Sequence, residues 1–295
     1  MQKDFISITD LSPEELTEIL DMGSDQKHGV TSEILRNKHV ALVFEKPSLR
    51  TKASFETGVR ELGGTFSYFS PAESGRLGER ESVGDFARTL SQYFEVIVAR
   101  VYDHAALEKL AASANIPVIN ALSGKEHPCQ VLGDLLTIRE CLGRLADFKL
   151  AFLGDGNNVA YSLALAANLL GFEFILAGPK KYQLKQGKIQ QTEDVAAALQ
   201  NADVVYTDAW TSMGDESEVQ QRETIFQPYQ LNADALKQAK PEAIVMHCLP
   251  AHRGKEITDD VIDGPQSVVF DQAANRLPVQ KAILIKLITH VAANK

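Results

Sequence analysis

Residues 39–64, HVALVFEKPSLRTKASFETGVRELGG, combine a strand, a loop and a helix in one continuous segment. The apolar run at 39–44 is typical of a buried strand. Phe55, Val59 and Leu62 then recur at the spacing of one helical face, and the glycine pair at 63–64 indicates where that helix ends. This segment is one strand-then-helix unit of an α/β pattern.

The loop between this strand and this helix predicts a phosphate-binding site. A helix N-terminus carries N–H groups without intrahelical partners and a partial positive charge, so it attracts anions. Ser48 and Thr51 add hydroxyl donors, and Arg50 adds a planar guanidinium that matches phosphate. Ser-x-Arg-Thr alone also fits an ordinary capped helix with a solvated arginine. The choice between this interpretation and a phosphate site therefore depends on the other motifs.

Size and composition narrow the class of protein. The chain has 295 residues, enough for two domains, with a net charge of −9 and a pI near 5.3. An acidic surface disfavours nucleic acid and anionic membranes as partners. Three cysteines form no disulfide framework, and we find neither a signal peptide nor an apolar run of about 20 residues. We therefore expect a cytoplasmic protein.

Strand-like and helix-like stretches alternate along the chain, which predicts an α/β fold. Strands are expected at 39–44, 65–69, 96–100, 117–120, 149–153, 173–177, 203–206, 244–247 and 268–270. Helices are expected after the capping box at 12–15 and at 82–93, 104–114, 130–141, 157–170 and 278–293, with Pro278 either in a first turn or at a kink. One sheet of about nine strands is possible, but two mostly parallel sheets, each with helices on both faces, fit the length better, with a domain boundary near 142–147.

Polar motifs follow five of the predicted strands, where parallel sheets bind ligands. In chain order they are His127-Pro128-Cys129-Gln130, Gly154-Asp155-Gly156-Asn157-Asn158, Asp208-Ala209-Trp210-Thr211-Ser212-Met213-Gly214, His247-Cys248-Leu249-Pro250 and Asp271-Gln272-Ala273-Ala274-Asn275-Arg276. The Asp208–Gly214 segment, with the one tryptophan of the chain, is too particular for a generic loop. Its acid can bind an ammonium group.

Two cofactor interpretations compete with a simple ligand site, and the pattern disfavours both. The glycine motif after 149–153 lacks its third glycine, because Val159 stands there, and no acid ends the strand 173–177, so dinucleotide binding is disfavoured. Histidines and cysteines invite a zinc hypothesis, but their spacing fits no common ligand pattern. We expect no metal and no cofactor.

Taken together, these motifs resemble the carbamoyltransferase family that acts on aspartate or ornithine. Phe-x-Lys-x-Ser-x-Arg-Thr at 44–51 and His-Pro-x-Gln at 127–130 are similar to the motifs for carbamoyl phosphate, which both branches share. Asp-x-Trp-x-Ser-Met-Gly at 208–214 and His-Cys-Leu-Pro at 247–250 are similar to the motifs for ornithine. The resemblance covers nearly the whole chain.

The resemblance implies a fold, an assembly and an activity. Residues 1–145 would bind carbamoyl phosphate together with a C-terminal helix, 273–295, that returns to this domain, and residues 146–272 would bind ornithine. The active form would be a homotrimer with sites at subunit interfaces. The neutral δ-amine of L-ornithine would attack carbamoyl phosphate directly, without a covalent enzyme intermediate, and would yield citrulline and phosphate in arginine metabolism. Whether the role is biosynthetic or catabolic stays open.

The resemblance also implies residue roles. Carbamoyl phosphate would contact Ser48, Leu49, Arg50, Thr51, Arg76, Arg100, His127, Gln130, Cys248, Leu249 and Arg276. Ornithine would contact Asn157, Asn158, Asp208, Ser212 and Met213. The catalytic residues would be Arg50, His127, Cys248 and Arg276.

Several positions depart from the family pattern. Leu49 replaces a usual threonine, Arg76 aligns with a frequent glutamine, Phe86 replaces another threonine, and the segment 178–192 is short. Other acceptors, such as putrescine or an acylated ornithine, remain alternatives, as does a non-catalytic ligand-binding relative. The complete Asp-x-Trp-x-Ser-Met-Gly motif favours ornithine, and the intact polar residues favour catalysis.

Overall fold

Short apolar runs form the strands of two parallel sheets, one in each structural unit. The structure is a computed structural model that describes residues 3–186, 189–211 and 219–293. Contacts divide the chain into unit 1, Met1–Leu136 with Ala274–Lys295, and unit 2, Thr137–Ala273. The α/β fold with two parallel sheets is confirmed. The functional boundary after residue 145 stays a prediction.

The unit 1 sheet has four parallel strands in the order β2-β1-β3-β4. The strands are β1 His39–Phe44, β2 Thr65–Phe69, β3 Val96–Arg100 and β4 Val118–Leu122. All residues of β3 and β4 are buried, because helices cover both faces of a parallel sheet. Continuous apolar runs such as 96–99 are the sequence signature of this double burial.

The unit 2 sheet has five parallel strands in the order β7-β6-β5-β8-β9. The strands are β5 Lys149–Leu153, β6 Glu173–Ala177, β7 Gln190–Thr192, β8 Val204–Thr207 and β9 Ile244–His247. The sequence did not predict β7, since its three residues are polar and lie at an edge of the sheet. The other strands begin and end within two residues of their predicted positions.

Thirteen α-helices are present within the described residues. They are α1 Pro13–Lys27, α2 Leu49–Glu61, α3 Pro71–Ser74, α4 Val83–Tyr93, α5 His104–Ser113, α6 Pro128–Leu142, α7 Asn158–Leu170, α8 Val195–Leu199, α9 Val219–Phe226, α10 Ala233–Leu236, α11 Asp259–Ile262, α12 Val269–Ala274 and α13 Arg276–Ala293. The capping box of α1 forms as predicted, with the Ser12 side chain accepting from the Glu15 N–H. Pro278 lies in the first turn of α13, which packs against α1 and α2 in unit 1.

The predicted strand at 268–270 is wrong. Ser267 makes only an isolated parallel bridge to Val245, and α12 begins at Val269. The Gln272 side chain gives the reason for the helix. Its amide accepts from the His247 N–H and donates to the Tyr206 hydroxyl, both at 2.9 Å, and these two bonds hold the turn of α12 against β8 and β9.

Both sheets reverse their strand order at one point, and the predicted motifs lie there. In unit 1 the order reverses between β1 and β3, which lead into Ser48 and end at Arg100. In unit 2 it reverses between β5 and β8, which lead into Asn157 and Asp208. Such switch points, at the carboxyl ends of the strands, are where open α/β sheets bind ligands.

Within the described residues, every helix is too short or too polar to cross a membrane.

We predict that Gln280→Leu will leave the free energy of unfolding unchanged or raise it. The side chain is fully buried on α13, and neither its oxygen nor its nitrogen has a hydrogen-bond partner among the described residues. An unpaired buried polar group costs about 1–3 kcal/mol, which an apolar side chain of similar size avoids. Urea denaturation would measure the change.

Gln272→Leu is the matched control, because this equally buried glutamine makes hydrogen bonds at both ends of its amide. We expect it to destabilise the protein by about 1–3 kcal/mol. Equal losses from the two variants would contradict the interpretation.

Candidate active site

The N-terminus of α2 forms the first part of the candidate site in unit 1. Ser48 is the N-cap, and its hydroxyl oxygen accepts from the Thr51 N–H at 3.2 Å. The geometry of a first turn directs the remaining N–H groups away from the helix, toward an anion. Leu49 is the first residue of α2, so its backbone N–H is one of those without a partner inside the helix, and its side chain is 77% exposed.

Arg276 joins three elements of unit 1. It is the first residue of α13, its side chain is buried, and its two Nη atoms donate to Thr51 on α2 and Gln130 on α6. The bond to Thr51 Oγ1 is 3.1 Å long. Gly133 permits this approach, because a Cβ there would lie 3.2 Å from Arg276 Cδ. Three predicted site residues are thus hydrogen-bonded together.

His127 lies buried before α6, in the field of two arginines. Burial, and then the positive charges of Arg276 and Arg100, hold the pKa of His127 well below its usual range. The imidazole is therefore neutral at physiological pH and offers an uncharged N–H donor. Arg100, which ends β3, is buried as well.

The Gln130 amide is held at both ends. Its oxygen accepts from Arg276, and its nitrogen donates to Asp134 Oδ1 at 2.8 Å, one helical turn further along α6. Gln130 and Asp134 are both buried. Sequence analysis missed Asp134, although an acid four residues after Gln130 on a helix is the signal that could have found it.

Arg76 lies beside an aromatic ring, and its predicted contact with carbamoyl phosphate stays a prediction. Its guanidinium is 4.8 Å from the Tyr102 ring centre, and Lys46 Nζ is 4.3 Å from the same centre. Glu45 accepts from the N–H groups of Leu77 and Tyr102, at 2.7 and 2.9 Å, and ties the 76–82 loop to the end of β1. Lys46 is buried, and sequence analysis did not assign it to the site.

Asp208 is the centre of the candidate site in unit 2. One carboxylate oxygen accepts from the Cys248 thiol at 3.0 Å, and the other accepts from the Asn157 amide at 2.7 Å. The Asn157 oxygen caps α7 by accepting from two backbone N–H groups. The loops after β5, β8 and β9 therefore meet at one carboxylate. This is expected for loops that follow the carboxyl ends of parallel strands in one sheet.

His247 and Glu256 support the turn that carries Cys248 and Leu249. His247 Nδ1 accepts from the Leu249 N–H at 2.8 Å, so its proton lies on Nε2, which is 3.2 Å from Glu256 Oε1. Burial opposes ionisation of Glu256, but hydrogen bonds from His247 and the His252 N–H outweigh it and lower its pKa. Leu249 has a left-handed φ of 55°. Sequence analysis missed Glu256.

Asp208, His247 and Cys248 bring potential metal-ligand atoms within 4.8 Å of one another. Both nitrogens of His247 already make hydrogen bonds, and the Cys248 thiol donates to Asp208, so a metal ion would have to displace these contacts. The arrangement does not match a preformed zinc site. That the site takes no metal stays a prediction.

Arg222, on α9, anchors the loop after β8. Its Nη1 donates to Asp155 and to the Trp210 carbonyl, both at 2.8 Å, and its guanidinium lies over Tyr182. Asp155 belongs to the predicted glycine motif, whereas Arg222 carried no sequence signal. Ser212 and Met213, predicted to bind ornithine, lie outside the described residues. Asn158 is the first residue of α7, beside Asn157.

Comparisons with known proteins match both halves of the chain to one family. Residues 3–140 match the carbamoyl-P binding domain of aspartate/ornithine carbamoyltransferase, and residues 146–287 match its Asp/Orn binding domain. The ornithine carbamoyltransferase of Methanosarcina acetivorans is 46% identical over 97% of this chain and 99% of its own length. The anabolic ornithine carbamoyltransferase of Pyrococcus furiosus is 45% identical, over 96% and 95%.

The fold comparison leads to the same family. A solved structure of ornithine carbamoyltransferase from Pyrococcus furiosus aligns with a TM-score of 0.91 and 44% identity, over 95% of each chain. The two parallel α/β units, together with relatives that are named as carbamoyltransferases over nearly the full chain, identify a two-domain transferase. The chain belongs to the aspartate/ornithine carbamoyltransferase family, and the resemblance seen in the sequence is confirmed.

We predict that His127 stays neutral in the folded protein at about pH 5.5, where an ordinary histidine is mostly protonated. Its depressed pKa means that the unfolded chain takes up this proton first, so the contribution of His127 to stability falls as pH drops below about 6.5. Ring ¹⁵N chemical shifts would report the protonation state, and His127→Gln would assign the signals. An imidazolium pattern for His127 in the folded state at that pH would contradict the burial argument.

Proposed function

We propose that the chain transfers the carbamoyl group of carbamoyl phosphate to the δ-amine of L-ornithine, which yields L-citrulline and phosphate. The observation that carries the proposal is the carboxylate of Asp208, bound by both Cys248 and Asn157. An anion at this point suits an amine substrate. The names of the relatives support ornithine as the acceptor, and the match to the Asp/Orn binding domain is compatible with it.

Unit 1 provides the groups that suit carbamoyl phosphate. The N-terminus of α2, Arg50, Arg100 and Arg276 are proposed to bind the phosphate and to neutralise it as it leaves. His127, Arg50 and Thr51 are proposed to donate to the carbonyl oxygen, where negative charge grows during attack. Because His127 is neutral, its N–H can stabilise that oxygen without a proton being transferred from a charged ring.

Unit 2 provides the groups that suit ornithine. The proposed contacts are Asn157, Asn158, Asp208, Ser212 and Met213, with Cys248 and Leu249 also proposed to contact carbamoyl phosphate. A free alkyl ammonium has a pKa of about 10.4, so only a small fraction of ornithine carries the neutral δ-amine at pH 7. Asp208 and the Cys248 sulfur are proposed to select and orient the reactive amine. The amine then attacks directly, without a covalent enzyme intermediate.

The remaining parts of the proposal concern the cell and the assembly. We propose a cytoplasmic enzyme of arginine biosynthesis. The low and odd number of cysteines supports the compartment, and the anabolic relative from Pyrococcus furiosus supports the direction. The proposed assembly is a homotrimer, as the family resemblance implies.

We predict that ornithine will be the preferred acceptor in an assay with carbamoyl phosphate and a panel of amines. The panel contains L-ornithine, Nα-acetylornithine, putrescine, lysine and aspartate, and the measurement is kcat/KM for formation of the ureido product or, with aspartate, carbamoyl aspartate. We expect citrulline formation to exceed every other reaction, because the ornithine-side motifs are complete. Preference for putrescine or aspartate would overturn the acceptor assignment, and no transfer to any amine would favour a binding protein.

We predict that Asp208→Asn will lower kcat/KM for ornithine by a factor on the order of 10–100, since hydrogen bonds to a charged group contribute about 1.5–3 kcal/mol. The new amide would have one acceptor oxygen instead of two, so it could not accept from both Asn157 and Cys248 in their present positions. KM for carbamoyl phosphate should change little.

Asp260→Asn, on the exposed surface of α11, is the control for the loss of one carboxylate from the same unit. In this variant, kcat/KM for ornithine and KM for carbamoyl phosphate should both stay close to their wild-type values. Equal losses for the two substrates in Asp208→Asn would indicate a general structural effect instead of a role in ornithine binding.

A further inference from the structure

Asp134 is a fully buried acid that the proposed mechanism does not use. It lies on α6, one turn after Gln130, and its Oδ1 accepts from Gln130 Nε2 at 2.8 Å in a buried environment. A buried carboxylate is costly unless charged or polar partners compensate for the loss of water. Asp134 lies beside Gln130, which is proposed to contact carbamoyl phosphate, so a functional reason for burying this carboxylate is to be sought there.

The two neighbours of Gln130 allow only one orientation of its amide. A carboxylate such as Asp134 can only accept hydrogen bonds, and a guanidinium such as Arg276 can only donate them. The amide nitrogen must therefore face Asp134 and the oxygen must face Arg276, as observed. A rotation of the amide by 180° would place donor against donor and acceptor against acceptor.

In this orientation the Gln130 amide oxygen is a hydrogen-bond acceptor among proposed site residues that mostly donate hydrogen bonds. The amide oxygen has two lone pairs, of which Arg276 uses one. Arg50, Arg100 and Arg276 can only donate. Carbamoyl phosphate differs from acetyl phosphate by an NH₂ group in place of a methyl group, so an oriented acceptor is what distinguishes the two.

We propose that Asp134 is a positioning residue that makes the site selective for carbamoyl phosphate over acyl phosphates, by holding the Gln130 amide with its oxygen toward Arg276. This inference rests on the proposed function, because it requires Gln130 to contact the carbamoyl amine. A site that accepts a hydrogen bond from a substrate NH₂ penalises the analogue that lacks it, since a buried acceptor is then left unpaired.

The test compares two substrates, carbamoyl phosphate and acetyl phosphate, as the source of the group that is transferred to ornithine. With acetyl phosphate, the δ-nitrogen forms a bond to the acetyl carbon, the bond from that carbon to the phosphate oxygen breaks, and the nitrogen loses one proton to solvent. The products are Nδ-acetylornithine and inorganic phosphate. The readout is the ratio of kcat/KM for carbamoyl phosphate to kcat/KM for acetyl phosphate. Contributions from phosphate binding and from ornithine cancel in this ratio.

In Asp134→Asn the new amide can donate as well as accept, so position 134 no longer enforces one orientation of the Gln130 amide. We expect this ratio to fall by up to about tenfold, the loss that corresponds to one hydrogen bond. Glu126→Gln is the matched control. It makes the same acid-to-amide change at a buried carboxylate of unit 1 that accepts from the Ile8 N–H, so the ratio should stay at its wild-type value.

The double variant Gln130→Glu with Asp134→Asn exchanges the amide and the carboxylate. The carboxylate now at position 130 would accept from both the amide at position 134 and the guanidinium of Arg276. An acceptor would again face the substrate amine, so the ratio should recover.

The proposal would be overturned if Asp134→Asn lowered kcat/KM equally for carbamoyl phosphate and acetyl phosphate. It would also be overturned if the double variant preferred neither of these two substrates. If Asp134→Asn does not fold, the double variant alone decides. Absence of carbamoyl transfer by the wild-type protein would instead reject the proposed function.

Discussion

The organisation of unit 1 depends on the buried guanidinium of Arg276. A buried charge costs several kcal/mol unless hydrogen bonds replace its water. Here Thr51 and Gln130 accept from it, and Gly133 lets it lie against α6. The last helix of the chain is thereby joined to the helix that follows β1 and to the helix that follows β4. An arginine that looks ordinary in the sequence becomes the residue around which the proposed phosphate site is arranged.

In unit 2 a charged side chain again gathers hydrogen bonds from several segments, but here the charge is negative. Asp208 is a carboxylate that gathers a thiol from the loop after β9 and an amide from the loop after β5. Arg222 and Asp155 then hold the backbone on either side of it. A cation organises one unit and an anion the other, which corresponds to the chemistry of the two proposed substrates. The family shares this division between a carbamoyl-P domain and an Asp/Orn domain.

Sequence reasoning was most successful where one residue type fixes local geometry. The capping box at Ser12 and the double-sided burial of the strands were confirmed. Of the two positions predicted for Pro278, the structure shows the first turn of a helix. The strand at 268–270 was wrong because the tertiary hydrogen bonds of Gln272 override local β-propensity. Glu256 and Arg222 were missed for a related reason. Their partners are side chains and carbonyls that become visible only when helices and loops are placed.

The pKa of His127 links this arrangement to the proposed chemistry. Cations suited to phosphate surround the ring, and the same charges, together with burial, keep it unprotonated. In the proposed reaction, the arginines would interact mainly with the charge of the leaving phosphate, while a neutral N–H meets the charge that develops on the carbonyl oxygen. A protonated ring would add another cation to a crowded positive site and would raise the cost of the unliganded state. The positive groups that suit the anion thus also set the protonation state of the residue beside them.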